Sequence, residues 1–402
     1  MLLSLHVKNY MSISDFEIDH AWYRQGMLKK DMQNLAIDSD TSTLPIIFSI
    51  MGLPASGKTV LFNAVKLLRA LISDENLTIC KSIYKPNVVN STEADFSEFA
   101  SDLSFIDHDD NQEHKANYKI AFNGEHILHE SLTIDKNVYY STENGEITIS
   151  DLGYENASDK QKDLLSSIFE RSCLDLNGRQ TATFISRLKT CSYFLPKLTS
   201  FLAHMKENIY DAQGGNQDQI YEHINTLNSI LADNTVCPLK DVDAVMLINR
   251  VISEDLQGEL VLRETIIDDE YKLIDELPDT RPRLFLATRN NEGKSVFICF
   301  DDLNSSEREL IDKTAIALSA ICARGAALID DLDCTLSADG LHRIFSIFSR
   351  DEINVNHGQI ICTVKNFPFP VRNSEENSKE HYVIIRKAPD LGTVPMTLPS
   401  FG

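Results

Sequence analysis

The stretch Gly52-Leu53-Pro54-Ala55-Ser56-Gly57-Lys58-Thr59 lies between two apolar runs and constrains the chain more than any other feature. Before it, Ile46–Met51 is a short, continuous apolar run with β-branched residues, the pattern of a strand buried on both faces of a parallel sheet. After it, "VLFNAVKLLRALI" from Val60 to Ile72 is long and rich in Leu and Ala, as in a mostly buried helix. The stretch matches G-x-x-x-x-G-K-[ST] in the strand–loop–helix context that gives the motif its meaning. Glycines let backbone N–H groups turn inward around a phosphate at a helix N-terminus. Lys58 then reaches the β- and γ-phosphates, and the Thr59 hydroxyl ligates Mg²⁺. Average residue frequencies produce the fixed positions by chance in roughly one chain in a hundred of this length. The stretch reads as a nucleotide site.

A loop of this kind needs an acidic partner for Mg²⁺ at the end of a neighbouring strand. "GAALIDDLDCTLSADGLHRIFSIF", Gly325–Phe348, supplies one: small and apolar residues lead into Asp330 and Asp331, and an amphipathic helix follows. Burying an Asp-Asp strand end is costly unless its charges meet a cation or donors. The expected roles are Asp330 toward Mg²⁺ and Asp331 toward the attacking water. Upstream, Ser306-x-x-Glu309 has capping-box spacing, and Leu310, Thr314, Ala317, Leu318 and Ile321 form an expected buried stripe. Downstream, "GQIICTVKN", Gly358–Asn366, reads as a further apolar strand with a polar end.

Composition narrows the class. The chain has 402 residues, 43% hydrophobic and 24% charged, the balance of a globular protein. No apolar run reaches the length of a membrane span, and His6 and Lys8 interrupt the N-terminus before any leader-like core. Cys80, Cys173, Cys191, Cys237, Cys299, Cys322, Cys334 and Cys362 form no CxxC pair, so neither a zinc site nor a disulfide framework is expected. A reduced, cytoplasmic location follows as the expectation. Net charge is −22, which repels nucleic acid unless basic residues gather locally. DNA binding is possible but not indicated, and protein partners are the expectation.

Along the chain, "LLSLHVKNY" at Leu2–Tyr10 reads as the first strand, and residues 24–43 as a polar loop with a short helix. Residues 84–116 are polar and acidic and read as a flexible surface segment, in which Asp107, His108, Asp109 and Asp110 form a solvated loop that only imitates a metal site. Residues 118–149 alternate with period two and break at Asn123-Gly124 and Asn144-Gly145, as in a meander of hairpins. From Ser158 to about Asn249 the pattern is helical, split at Gly214-Gly215, and Thr280–Leu303 is a hairpin around Asn291–Gly293.

This order of motifs — "VKNYMSI", "ASGKT", hairpins, a helical insertion, a Ser-Ser-Glu helix, "LIDDLD", and a strand ending Thr-x-x-Asn — resembles the ABC/SMC-type ATPases. Within them it is similar to the RecF-like AAA-15/AAA-21 group, which includes ATPase subunits of anti-phage systems of the Septu, Gabija and PARIS type. The resemblance implies an α/β P-loop NTPase fold of ABC/SMC type with an antiparallel β meander and a helical insertion. It implies an N-terminal ATPase lobe over 1–155, the insertion over 156–278, and a C-terminal ATPase lobe over 279–402. ATP and Mg²⁺ are the implied cofactors. Subunits of that family pair head to tail, which would bring Ser305 and Ser306 of one copy to the γ-phosphate of another. Three positions depart from the family pattern: Glu307 replaces a glycine, Asp331 a glutamate, and Lys365 a histidine. A carboxylate one methylene short implies slow hydrolysis. The implied function is an ATPase whose nucleotide-dependent dimerisation or oligomerisation controls a separate effector, a nuclease or toxin. The alternative is a RecF-like repair or chromosome-maintenance ATPase that grips DNA.

Overall fold

The computed structural model describes residues 2–19, 46–87, 96–107, 110, 112–150, 158–188, 196–207, 209–211, 217–232, 242–263, 266–267, 273–274, 283–290, 292–334, 336, 338–349, 353–354, 358–365, 380–388 and 392–396. The expected loop at 24–43, the break at Gly214-Gly215, and His108 and Asp109 lie outside these residues. The chain forms two compact units. Unit 1 comprises Met1–Pro45, Ile50–Asn208 and Tyr382–Gly402, and unit 2 comprises Ile46–Ser49 and Ile209–His381.

Unit 1 is built on an antiparallel sheet. Strands β1 (Leu2–Tyr10) and β2 (Ile13–Asp19) pair through a tight turn at which Asn9 and Met11 take positive φ. Strand β3 (Ile47–Met51) begins in unit 2 and passes into unit 1, where it leads to the first helix, α1 (Lys58–Ser73). The helix buries Leu61, Phe62, Ala64, Val65, Leu68, Leu71 and Ile72, the stripe that its apolar spacing predicts. A meander then runs through β4 (Ser97–Ile106), β5 (Glu113–Phe122), β6 (Ile127–Ile134), β7 (Asn137–Glu143) and β8 (Glu146–Ile149), with β4 pairing on β1.

The hairpins expected over 118–149 are present, but the flexible segment expected over 84–116 is not. Its second half is β4 and the start of β5. Phe99, Leu103 and Phe105 share one buried face with Ser97 and Ser101. Serine at inward positions hides the period-two signal, because a small hydroxyl can be buried when it finds a backbone acceptor, as Ser97 does on the Asn9 carbonyl at 2.5 Å.

Helices α2 (Asp159–Ser172), α3 (Phe184–Arg187) and α4 (Pro196–Glu207) also belong to unit 1. The Phe184 ring packs edge-on against Tyr140 and Phe169, with centroids 5.0 and 5.5 Å away, which fixes α2 and α3 on the meander. The helical stretch expected as one insertion over 156–278 is thus shared between the units.

Unit 2 contains β9 (Ile209–Asp211), α5 (Gln217–Ala232), α6 (Ala244–Leu256) and β10 (Glu259–Arg263), then the short pair β11 (Ile266–Ile267) and β12 (Leu273–Ile274). The hairpin expected over Thr280–Leu303 is β13 (Arg283–Arg289) with β14 (Ser295–Cys299), and β10 adds to its other edge. Helix α7 (Ser305–Cys322) is buried throughout Leu310–Cys322. The expected cap is corrected: Asn304, not Ser306, is the N-cap, and its box partner is Glu307 rather than Glu309. The Asn304 side chain accepts from the Glu307 N–H at 2.9 Å, and the Glu307 carboxylate accepts from the Asn304 N–H at 3.0 Å. Both pairs share the same spacing, so only the helix start decides between them.

Strand β15 (Ala326–Ile329) pairs in parallel with β9 and with β16 (Gln359–Val364), and α8 (Ala338–Ser349) lies between β15 and β16 in sequence. On the far side of β16 stands the start of β3, where the Ile360 N–H donates to the Ile46 carbonyl at 2.8 Å and the Ser49 hydroxyl meets Cys362 Sγ at 3.4 Å. Within unit 2 strands β9, β15 and β16 run parallel, so their C-terminal ends share one edge. That edge is where open α/β sheets bind their ligands. Strand β17 (Glu380–Ala388) begins at the end of unit 2 and passes into unit 1, where it pairs with β18 (Gly392–Met396), and β18 reaches β2 at Ile13.

Candidate nucleotide site

The loop expected to hold phosphate lies in unit 1. Ala55 and Gly57 both take positive φ, 62° and 100°, and the Ser56 N–H closes a turn onto the Leu53 carbonyl at 3.1 Å. Gly57 is required on two counts. Its φ disfavours any Cβ, and a Cβ there would stand 2.1 Å from Thr393 Oγ1 and 3.0 Å from Thr393 Cβ. Thr393 is buried and donates to the Ser56 carbonyl at 3.2 Å, meets the Ser12 hydroxyl at 2.8 Å, and donates its own N–H to the Ser12 carbonyl at 2.7 Å. The two ends of the chain therefore buttress the loop, with Ser12 from the β1–β2 turn and Thr393 from β18. Ser12 enters the sequence reading only as part of "VKNYMSI", and Thr393 carries no signal there.

Helix α1 begins at Lys58 with no side-chain cap and no acidic residue in its first turn, which leaves its positive end open to an anion. Lys58 is buried, and its ammonium donates to the carbonyls of Gly52 at 2.7 Å and Leu53 at 3.2 Å, inside the loop. Ser56 Oγ is buried and has no hydrogen-bond partner among the described residues. An orphaned hydroxyl, an uncapped helix end and an ammonium held within one loop fit a phosphate chain. Gly52 and Gly57 give the loop its backbone freedom, Lys58 its charge, and Thr59, exposed on the first turn, a hydroxyl for a metal ion. Leu53, Pro54 and Ala55 form its exposed outer rim. Gly57→Ala is accordingly expected to reduce nucleotide affinity and lower Tm together. A variant that binds ATP like the wild type would sink the requirement at this position.

In unit 2, Asp330 and Asp331 follow β15 as the sequence predicts. Asp330 Oδ1 accepts from the Thr363 hydroxyl and, at 3.1 Å, from the Asp331 N–H. Its Oδ2 takes no hydrogen bond among the described residues, so one carboxylate oxygen is oriented and the other is left for a cation such as Mg²⁺. Asp331 takes φ 49°, with its N–H also shared with Thr363 Oγ1 at 2.7 Å and its carbonyl facing the buried Lys313 ammonium at 3.4 Å. Its carboxylate is not open: Lys365 Nζ stands 3.0 Å from Oδ2. Lys365 also reaches Cys334 Sγ at 2.9 Å. The Cys334 contact, and then the Asp331 carboxylate, hold the Lys365 pKa above the ordinary lysine range. Thr363 and Lys313 are site residues that the sequence did not single out, because their roles depend on strand and helix adjacency. Ser305 and Ser306 are exposed in the first turn of α7.

The acidic cluster near residue 107 differs from the expectation. Asp107 is buried and accepts from the Ser200 hydroxyl at 2.7 Å, so it is not part of a solvated loop. The imidazole in the group is His114, bridged to Asp110 at 3.0 Å and Asp135 at 2.5 Å. These contacts occupy both ring nitrogens and tie β5 to the β6–β7 turn. Among the described residues Cys80, Cys173, Cys299, Cys322, Cys334 and Cys362 are free thiols, and burial pushes Cys362 up to about 12. No helix among the described residues is long and apolar enough to cross a membrane.

No family model matches the chain, and no curated protein matches it. Among solved structures it is similar to the recombination mediator protein RecF with ATP, of the RecFOR pathway. That likeness has 9% identity and a TM-score of 0.35, and it covers 98% of this chain and 97% of that one.

Proposed function

We propose that this chain binds ATP with Mg²⁺ and hydrolyses it slowly, and that nucleotide-dependent pairing of its copies controls a separate effector. The observation that carries the nucleotide reading is the loop itself: Lys58 and a buried Ser56 hydroxyl with no partner among the described residues, at the uncapped start of α1. Gly52 to Thr59 hold the phosphates, Thr59 and Asp330 hold Mg²⁺, and Asp331 orients the attacking water. Hydrolysis is slow because the Asp331 carboxylate is one methylene shorter than a glutamate. The resemblance to ATPase subunits of anti-phage systems supports an effector of the nuclease or toxin kind. A RecF-like role on DNA is the second reading, and the net charge of −22 weighs against it.

Pairing is tested by complementation. In a head-to-tail dimer Ser305 and Ser306 of one copy complete the site of the other. Lys58→Ala and Ser306→Arg are each expected to be inactive, since each spoils both composite sites. Mixed, they form a heterodimer with one doubly damaged site and one intact site. Recovery is expected to reach at most about half of wild-type activity per heterodimer if the sites act independently. Ser306→Arg leaves the cap in place, because Asn304 and Glu307 supply it. No recovery despite demonstrated subunit exchange, or full activity of Ser306→Arg alone, would end the head-to-tail arrangement.

A further inference from the structure

Lys365 occupies a position that the ATPase reading leaves without a role. Its backbone N–H is fixed by both carboxylate oxygens of Asp333, at 2.9 Å each, so the root of the side chain is anchored at the end of β16. Its ammonium turns back over the loop that follows β15, 3.0 Å from Asp331 Oδ2 and 2.9 Å from Cys334 Sγ. The main chain of Asp331 is meanwhile held from two directions. Thr363 Oγ1 takes its N–H at 2.7 Å, and Lys313, which also meets Glu309 at 3.4 Å, faces its carbonyl. With the main chain pinned in the left-handed region at φ 49°, the carboxylate is the part of Asp331 left to move. Lys365 holds that part.

From this geometry we infer that Lys365 is a restraining counter-ion, a positioning residue that keeps the Asp331 carboxylate turned away from the water it would orient. The inference rests on the ATPase reading of the site. A carboxylate oxygen facing an ammonium is a poorer acceptor for a water proton, because the cation draws on the same lone pairs. The pair is also easy to open. Its side chains are 44% and 40% exposed, so solvent screens it and exchange costs little. A buried pair would be a structural bolt, whereas a screened one acts as a restraint that an incoming polyanion can relieve by drawing the lysine away.

The test compares ATP turnover of the full-length wild type, Lys365→Met, Lys365→Arg and Lys365→Met combined with Asp331→Asn. Lys365→Met is expected to raise kcat several-fold while KM stays within about twofold, the signature of an effect on the chemical step and not on uniform binding. Lys365→Arg keeps the charge and should show no rise. The double variant should lose the gain, because the gain runs through Asp331. A readout independent of activity is a crystal structure of Lys365→Met without nucleotide, in which the Asp331 carboxylate should leave the position that it holds beside Lys365 in the wild type. The restraint is overturned if kcat of Lys365→Met is unchanged or lower, if the gain survives Asp331→Asn, or if the Asp331 carboxylate keeps its wild-type position in Lys365→Met. ATP binding by the wild type, measured beside these assays, separates the two ideas. Binding without acceleration removes only the restraint, and absence of binding removes the ATPase reading and the restraint with it.

Discussion

Lys58→Ala is expected to lower ATP affinity by roughly a hundredfold or more, with Tm nearly unchanged. The size comes from the charge: hydrogen bonds from an ammonium to phosphate oxygens are worth about 1.5–3 kcal/mol each, and losing even two of them exceeds a factor of about a hundred in Kd. The selectivity comes from what the ammonium does in the fold. Among the described residues it donates to Gly52 and Leu53, both within its own loop, and to no other element. Alanine at the first position of α1 also has high helix propensity, so the helix should start where it does now. Titration calorimetry with Mg·ATP and a thermal melt on the same sample make the check. Near-wild-type affinity would show that the loop is not the phosphate site. A large fall in Tm would show that Lys58 holds the fold and that lost binding says nothing about contact with phosphate.

What the sequence revealed and what it concealed divide along a physical line. The β3–loop–α1 unit was legible because its signals are local: an apolar run, a motif and a helical stripe contiguous in sequence. The Asp330-Asp331 strand end was legible for the same reason. Residues whose roles arise from packing were not. Thr363 matters because β16 lies beside β15, which brings its hydroxyl onto Asp330 and Asp331. Thr393 matters because β18 brings it against Gly57, far away in sequence. Strand β4 was hidden by its inward serines, and the cap of α7 was misplaced because Asn304–Glu307 and Ser306–Glu309 satisfy the same pattern. Glu130 was hidden most completely. It reads as one more polar residue in "ILHESLTI", yet the pleat turns it into the core.

Replacing Glu130 with alanine should therefore be the most destabilising single change in unit 1. Its carboxylate is fully buried and accepts from the hydroxyls of Tyr118 at 3.3 Å and Tyr140 at 2.8 Å, from the Gln180 side-chain amide at 2.6 Å, and from the N–H groups of Phe184 at 2.8 Å and Ile185 at 3.1 Å. Each of these donors loses its bond to Glu130 in Glu130→Ala, although the Gln180 amide keeps the Ala182 carbonyl at 3.2 Å, and removing the centre of a buried polar network costs about 3–5 kcal/mol. The damage should reach the nucleotide loop. Thr183, the residue before Phe184, donates its hydroxyl to the Leu71 carbonyl at 2.7 Å, near the end of the helix that Lys58 begins. ATP affinity should fall with stability, unlike in Lys58→Ala. Glu130→Gln keeps one acceptor and should cost less. Burial raises the Glu130 pKa above its ordinary 4.5, against hydrogen bonds from Phe184, Ile185, Tyr140 and Gln180 that pull it down. A raised folded value means that this carboxyl's contribution is greatest below pH 4.5 and declines as pH rises through the folded pKa. Urea unfolding of wild type and Glu130→Gln across that range should therefore show a steeper decline for the wild type. Equal slopes, or a Glu130→Ala variant as stable as the parent, would mean that the carboxylate is not the hub these contacts describe.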